Sequence, residues 1–386
     1  YIKRPLPTEG GNANTTPTLR AEDLLHPEDF RPGARLVVRA RATPDAQEKI
    51  ITDRVYGADA LYDVKDLELS YDGTRLLFSM RAPELENVDP DEQPTWDIWE
   101  YNLKTDDLHR VIKSDVTEAQ GQDVNPRYLP DGRIVFASTR QITTKATMLD
   151  EGKPQYNPQG ESGDRDMFAV HVMNGDGSNI RQITFNTSHE IQPVVNTNGE
   201  IIYSRWDNAG SHDQVDLYSI RPDGTQQHHL YGSHSHNTGT DGGNIDYRHL
   251  QPAPDGRFLA MIGPRRQSVY GGNLIYLDPN NFSDNDQPVS NSTSSSSTAQ
   301  VAATHFPIRT NEGISLGGYI SAAYPLWDGS QRLLISWSEC RVKLTDQVLP
   351  CTEERVATTG ATIMDPAYGL WMYQVSTQSV IPIIVP

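Results

Sequence analysis

The chain has only two cysteines, Cys340 and Cys351, among its 386 residues, which excludes a scaffold stapled by many disulfides. No apolar run approaches the roughly 18 residues that a membrane-spanning helix needs. Basic residues are in short supply, 33 against 51 acidic ones, leaving a net charge of −18. A field of that sign repels phosphate backbones and anionic bilayers, so nucleic acid is not expected as a partner. There is no phosphate loop, dinucleotide fingerprint, HExxH helix or paired-cysteine zinc signature. The usual nucleotide-enzyme and zinc-enzyme readings therefore lack their motifs.

Turn residues are abundant, with 29 glycines and 26 prolines, and they predict many short strands rather than long helices. The turns are periodic. The stretches "LELSYDGTRLLFSMR", "NPRYLPDGRIVFASTR", "QPVVNTNGEIIYSRW", "LQPAPDGRFLAMIG" and "YPLWDGSQRLLISWS" each place an Asp-Gly or Asn-Gly turn before an apolar strand. These turns, at Asp72, Asp131, Asn198, Asp255 and Asp328, are spaced by 59, 67, 57 and 73 residues. Asp-Gly and Asn-Gly suit two-residue hairpins, because both residues take positive φ at low cost. A second hairpin follows most units, turning at Lys104–Asp107, Asn174–Gly177 and Pro222–Gly224. Two hairpins per repeat make a four-stranded antiparallel blade. Such blades bury their faces by stacking around an axis, as in a β-propeller.

The pairing of "NPRYLPDGRIVFASTR" with "MNGDGSNIRQIT" resembles the WD40-like (PD40) repeat of TolB-type propellers. The later "GSHSHNTG", "APDGRFLAMIG" and "GGNLIYLDPNNF" resemble the middle propeller domain of hydrazine synthase alpha-subunit relatives. The resemblance runs from about Arg35 to the end and implies an all-β propeller over 35–386, preceded by an extended arm, 1–34. "ARLVVRARATPDAQEKIITD" reads as a lone hairpin, with strands near Leu36–Ala40 and Lys49–Thr52. It matches the second half of a blade, so the expectation is six blades, seven being the alternative. The closing blade would be split, with its first half coming from beyond Pro386. The Tyr1 start and the "VIPIIVP" end read as a processed or partial product whose export signal is already removed.

Two free thiols suit a cytosolic chain, and a local Cys340–Cys351 disulfide suits an exported one. The acidic balance, the few cysteines and the Ser/Thr/Asn-rich loops favour export to the periplasm, the cell surface or the medium. Three chemistry-bearing features remain. His228–His249 holds five of the eleven histidines, and His234, His236, Asp241, Asp246 and His249 are candidate ligands for a divalent metal. The competing reading is a polar loop whose histidines bond to backbone. Within "YRHLQP", His249 and Gln251 resemble the histidine-and-glutamine metal set of oligogalacturonate lyases. Arginines recur after each repeated turn, at Arg81, Arg140, Arg205, Arg265 and Arg341. They could ring one rim and attract an anionic ligand, or pair with acids such as Asp97, Asp166 and Asp216 to tie strands together. Hydrazine synthase alpha subunits carry c-type haem through CxxCH. This chain has no CxxCH, so it holds no such haem, and the basis for hydrazine chemistry goes with it. The resulting expectation is a binding or scaffolding propeller for a protein partner or ligand, a cytochrome being the partner the resemblance suggests. The alternative is a metal-dependent propeller enzyme, lyase- or oxidoreductase-like, centred on the histidine stretch.

Overall fold

The computed structural model describes residues 1–6, 8–9, 18–19, 24–153, 166–209, 212–265 and 271–386. The turn-rich stretch "EGKPQYNPQGESGDR", 151–165, which reads in sequence as a long loop between blades, lies mostly outside these residues. The chain divides into two compact units. Unit 1 comprises Tyr1–Pro5, Leu25–Ala40 and Gln47–His229, and unit 2 comprises Leu6–Leu24, Arg41–Ala46 and Leu230–Pro386.

Five four-stranded antiparallel sheets are formed among the described residues. Sheet 1 runs through Asp63–Leu69, Arg75–Arg81, Trp96–Asn102 and Asp107–Arg110. Sheet 2 has Asp123–Tyr128, Ile134–Ser138, Ala169–Met173 and Arg181–Gln182, and sheet 3 has Glu190–Val195, Ile201–Ala209, His212–Ile220 and His228–Tyr231. Sheet 4 is built from Asp246–Pro252, Phe258–Gly263, Asn273–Leu277 and Gln300–Ala302, and sheet 5 from Tyr319–Pro325, Arg332–Ser338, Gly369–Gln374 and Ser379–Ile384. These are propeller blades. A three-stranded N-terminal sheet pairs Arg35–Arg39 with Glu48–Ile50 and, on its other side, with Ile2–Lys3. The expected hairpin is therefore present one residue earlier, and the arm itself supplies a third strand.

The five repeated turns differ from the two-residue hairpin that the dipeptides predict. Only the glycine takes positive φ, for example Gly132 at 87° and Gly256 at 87°. At Asp131, Asn198 and Asp255 the loop is three residues long, whether Pro130, Thr197 or Pro254 precedes the turn residue. It is closed by Leu129 N–H to Arg133 O at 2.8 Å and Ala253 N–H to Arg257 O at 2.8 Å. The Asp side chain then accepts the N–H two residues on, as Asp131 does from Arg133 at 3.1 Å.

The second strand of each repeat is a short apolar run because both of its faces are covered. In sheet 1, Leu76, Phe78 and Met80 pack with Leu36 of the N-terminal sheet and with Ile51 and Tyr62. Leu77 points the other way, into Tyr128, Ile134, Phe136 and Met173 of sheet 2. Sheets 2 and 3 share Val135, Val170 and Val172 with Ile201, Tyr203 and Ile220. In unit 2, Leu259 and Leu274 of sheet 4 meet Ile320, Leu333 and Ile335 of sheet 5.

Candidate functional site

Within each sheet the antiparallel order sends the first and third connections to one end, and the second connection and the link to the next sheet to the other. The first connections are the tight repeated turns. The second connections include 82–95, 139–168 and 339–368, and the links include 111–122, 232–245 and 303–318. The longer connections, where binding chemistry usually resides, thus lie at one end of each sheet. The third connection of sheet 4, 278–299, is a long exception and folds onto the link 232–245.

That link contains the histidine stretch, and Asp284 organises part of it. Asp284 Oδ1 accepts the His234 N–H at 2.7 Å and the Ser235 Oγ–H at 2.8 Å. The His234 ring itself is 85% exposed, with Nδ1 3.4 Å from Asp284 Oδ2. His236 is buried, and its Nδ1 lies 2.7 Å from the Ile245 carbonyl and 3.6 Å from Asp246 Oδ1. Asp246 also pairs with Arg265 at 2.8 Å, while Asp241 pairs with Arg309 at 2.8 Å. His249 sits in the first strand of sheet 4 with φ 49°. Of the five predicted ligands, His236 and Asp246 come together. Among the described residues no group of three or more His, Cys, Asp or Glu side chains is placed to hold a metal ion.

The arginines are committed to internal partners. Arg140 is fully buried, bonding to the Asp123 carboxylate and donating to the Thr117 carbonyl at 2.9 Å. Arg265 pairs with Asp246, Arg205 with Asp207 at 2.8 Å, and Arg81 donates to the Pro94 carbonyl at 2.6 Å. Arg341 donates to the Asp365 carbonyl at 2.9 Å. For Arg140 and Arg265 the acid is the first residue of the inner strand, rather than one in the third strand. Antiparallel register explains this, since it sets Asp123 opposite Ser138 and Asp246 opposite Gly263. Asp97 and Asp216 lie near Arg110 (4.0 Å) and His229 (3.3 Å) instead.

Cys340 and Cys351 are joined in a disulfide. It closes the base of an arm inserted into sheet 5, in which Arg341–Leu344 pairs with Gln347–Pro350 and with Thr362–Ile363. Val348 (50%) and Ile363 (39%) stand exposed on it.

Two features escaped the sequence reading. The first is a bulge at one position of every inner strand, where pairing slips between Lys65 and Glu68, Val124 and Arg127, Ile191 and Val194, Arg248 and Gln251, and Ile320 and Ala322. Four of these bulges hold a non-glycine residue at positive φ: Asp66, Asn125, Gln192 and His249. Asp, Asn and His tolerate this conformation better than other side chains, and bulges mark places where a sheet re-aims its residues. In unit 1 the bulges interlock, since Asp66 accepts the Asn125 N–H at 3.0 Å and Asn125 Oδ1 accepts the Gln192 N–H at 3.3 Å. The spacing was readable, because each bulge residue lies six before the Asp or Asn of its turn.

The second is a buried acid pair at the loop-bearing end of sheet 1. Glu118 accepts from Thr95 Oγ1 at 2.7 Å and lies 3.3 Å from Arg110. Burial first, and then hydrogen bonding to Glu118, push the Asp97 carboxyl up to about 10. Asp97 Oδ1 and Trp99 Nε1, two residues apart on one face of the strand, are buried and have no hydrogen-bond partner among the described residues.

Repeated four-stranded antiparallel sheets with this turn and strand grammar define the fold as a β-propeller. More particularly, it resembles hydrazine synthase from Kuenenia stuttgartiensis, at a TM-score of 0.59 and 15% identity, over 94% of this chain and 43% of that one. The chain thus spans less than half the length of that protein. A putative TolB from Agrobacterium tumefaciens is also similar, with TM-score 0.47 and 12% identity over 88% of this chain and 84% of that one. So is puromycin hydrolase, with TM-score 0.45 and 13% identity over 91% and 42%. At these identities the likeness is one of fold. No protein-family model matches the chain, and no curated protein matches it.

Proposed function

We propose that this chain is an extracytoplasmic propeller that binds or scaffolds a protein partner through the loop-bearing ends of its sheets. The observation that carries the reading is the disulfide-closed arm of sheet 5, which projects exposed Val348 and Ile363 from the end where long connections gather. Exposed apolar side chains on a pinned hairpin are a surface that a partner can cover without an ordering penalty. The disulfide also supports an oxidising compartment. No helix among the described residues is long and apolar enough to cross a membrane. A cytochrome is the partner suggested by the resemblance to hydrazine synthase, and the absence of CxxCH leaves any covalent haem to that partner. The rival reading, a metal-dependent enzyme centred on His234, His236, Asp241, Asp246 and His249, has less support, because His234 and Asp241 are engaged by Asp284 and Arg309.

The test is cross-linking mass spectrometry on the full chain with the extracytoplasmic fraction of its source. Cross-links should concentrate on Lys343 and neighbouring arm residues. A Lys343→Glu/Val348→Asp variant that keeps the wild-type urea midpoint should lose them. Retention of the partner by that variant would overturn the arm as the contact.

A further inference from the structure

The chain holds two Asn-Gly dipeptides, Asn174-Gly175 and Asn198-Gly199, and the fold treats them differently. Asparagine is thermolabile, most of all before glycine, whose missing Cβ lets the next backbone nitrogen reach the side-chain amide. In the first turn of sheet 3 both reacting groups are tied down. The Gly199 N–H donates to the Asn196 carbonyl at 2.9 Å. The Asn198 amide is held at both ends by Glu200, Oδ1 accepting its N–H at 3.0 Å and Nδ2 donating to its Oε2 at 3.0 Å.

The third connection of sheet 2 leaves the same groups open. Gly175 is exposed and Asn174 half-buried. The turn is closed by Asn174 N–H to the Ser178 carbonyl at 2.9 Å and by Gly177 N–H to the Asn174 carbonyl at 3.0 Å. Asn174 Nδ2 donates to Ser178 Oγ at 2.9 Å, whereas Asn174 Oδ1 and the Gly175 N–H make no hydrogen bond among the described residues. This turn is also closely packed. A Cβ on Gly175 would lie 2.7 Å from the Gly132 carbonyl oxygen, and one on Gly177 would strike the Val111 carbonyl. The packing that needs this glycine therefore also creates the reactive dipeptide.

We propose that Asn174 is a self-modification site, converting without an enzyme to isoaspartate and so loosening the turn from Gly132 and Val111. Hydroxide takes the Gly175 N–H proton, and the nitrogen bonds to Asn174 Cγ. The Cγ–Nδ2 bond breaks and ammonia leaves, its proton supplied by water. Water then opens the succinimide at one of its two carbonyls. Breaking the original peptide bond leaves the chain running through Cβ and Cγ, as isoaspartate, and breaking the new bond leaves aspartate. Nothing is oxidised or reduced: amide and water become carboxylate and ammonium. Isoaspartate adds a methylene to the main chain and a negative charge, which the close contacts of Gly175 and Gly177 do not accommodate.

The experiment is incubation of the full chain at pH 8, followed by peptide mapping, with isoaspartate detected by isoaspartyl methyltransferase and a labelled methyl donor. Isoaspartate should appear at Asn174 roughly tenfold faster than at Asn198, because the bonds to Gly199 and to the Asn198 amide must first open. In denaturing urea the two rates should converge. The urea midpoint of the aged chain should fall, and that of Asn174→Gln, whose longer side chain closes the ring far more slowly, should hold. Equal rates at the two sites of the folded chain, or a faster Asn198, would overturn the assignment. Modification of Asn174 with an unmoved midpoint would overturn the loosening. The wild-type chain alone decides both points, so they stand even if the variant fails to fold. Partner capture plays no part in this assay, so its failure is distinct from failure of the scaffolding reading.

Discussion

Asp97 gives the sharpest stability prediction. It is 8% exposed, and its carboxyl is held up to about 10 by burial and by Glu118, against an ordinary value of 3.8. A carboxyl whose folded pKa exceeds its unfolded one binds its proton more tightly when folded. The stability it contributes is full below about pH 4 and is lost as pH rises from there toward 10. At pH 7 the unfolded side chain ionises freely while the folded one does not. At about 1.4 kcal/mol per unit, that difference destabilises the fold by at most about 4 kcal/mol. Asp97→Asn keeps the shape and a donor for Glu118 and has no proton to hold. It should raise stability at pH 7 by about 1–4 kcal/mol, by little at pH 4.5, and by more at pH 9. Urea unfolding of both proteins at these three pH values reads this directly. A variant less stable than wild type throughout, or one with the wild-type pH profile, would refute the reasoning.

Other perturbations test the neighbouring claims. Removing Asp123 by Asp123→Ala leaves Arg140 buried and unpaired, and should cost about 3–5 kcal/mol in urea unfolding. Replacing both Cys340 and Cys351 by serine should lower stability by about 3 kcal/mol and expose the arm of sheet 5 to limited proteolysis. Asn125→Val puts a branched side chain at φ 52° and removes the acceptor for Gln192; it should cost about 2 kcal/mol or more, while Asn125→Gly should cost less.

The repeat was legible because each blade is local: the Asp-Gly and Asn-Gly turns and the apolar runs "RLLFSMR", "RIVFAS" and "RFLAMIG" lie within a few residues of one another. The turn type was not, because the Asp or Asn keeps negative φ and the ladder closes one residue further out, which the dipeptide alone does not encode. The arginine pairs were half legible. Sequence spacing showed that Arg140 and Arg265 recur, but only strand register shows that Asp123 and Asp246 face them. The partners of the histidine stretch were not legible, because they are remote in sequence: Asp284 accepts the His234 N–H and Arg309 pairs with Asp241. The bulges were legible only as a spacing: Asp66, Asn125, Gln192 and His249 each lie six residues before the Asp or Asn of their turn, but that the backbone turns to positive φ there follows from strand register.

The central claim is that this propeller works by binding a protein rather than through a metal of its own. Native mass spectrometry of the chain isolated from its source, before and after dialysis against a chelator, tests it most directly. A complex with one protein partner at fixed stoichiometry, unchanged by the chelator, is the predicted result. A partner-free chain carrying about one equivalent of a transition metal, lost when His236 is replaced by alanine, would contradict it.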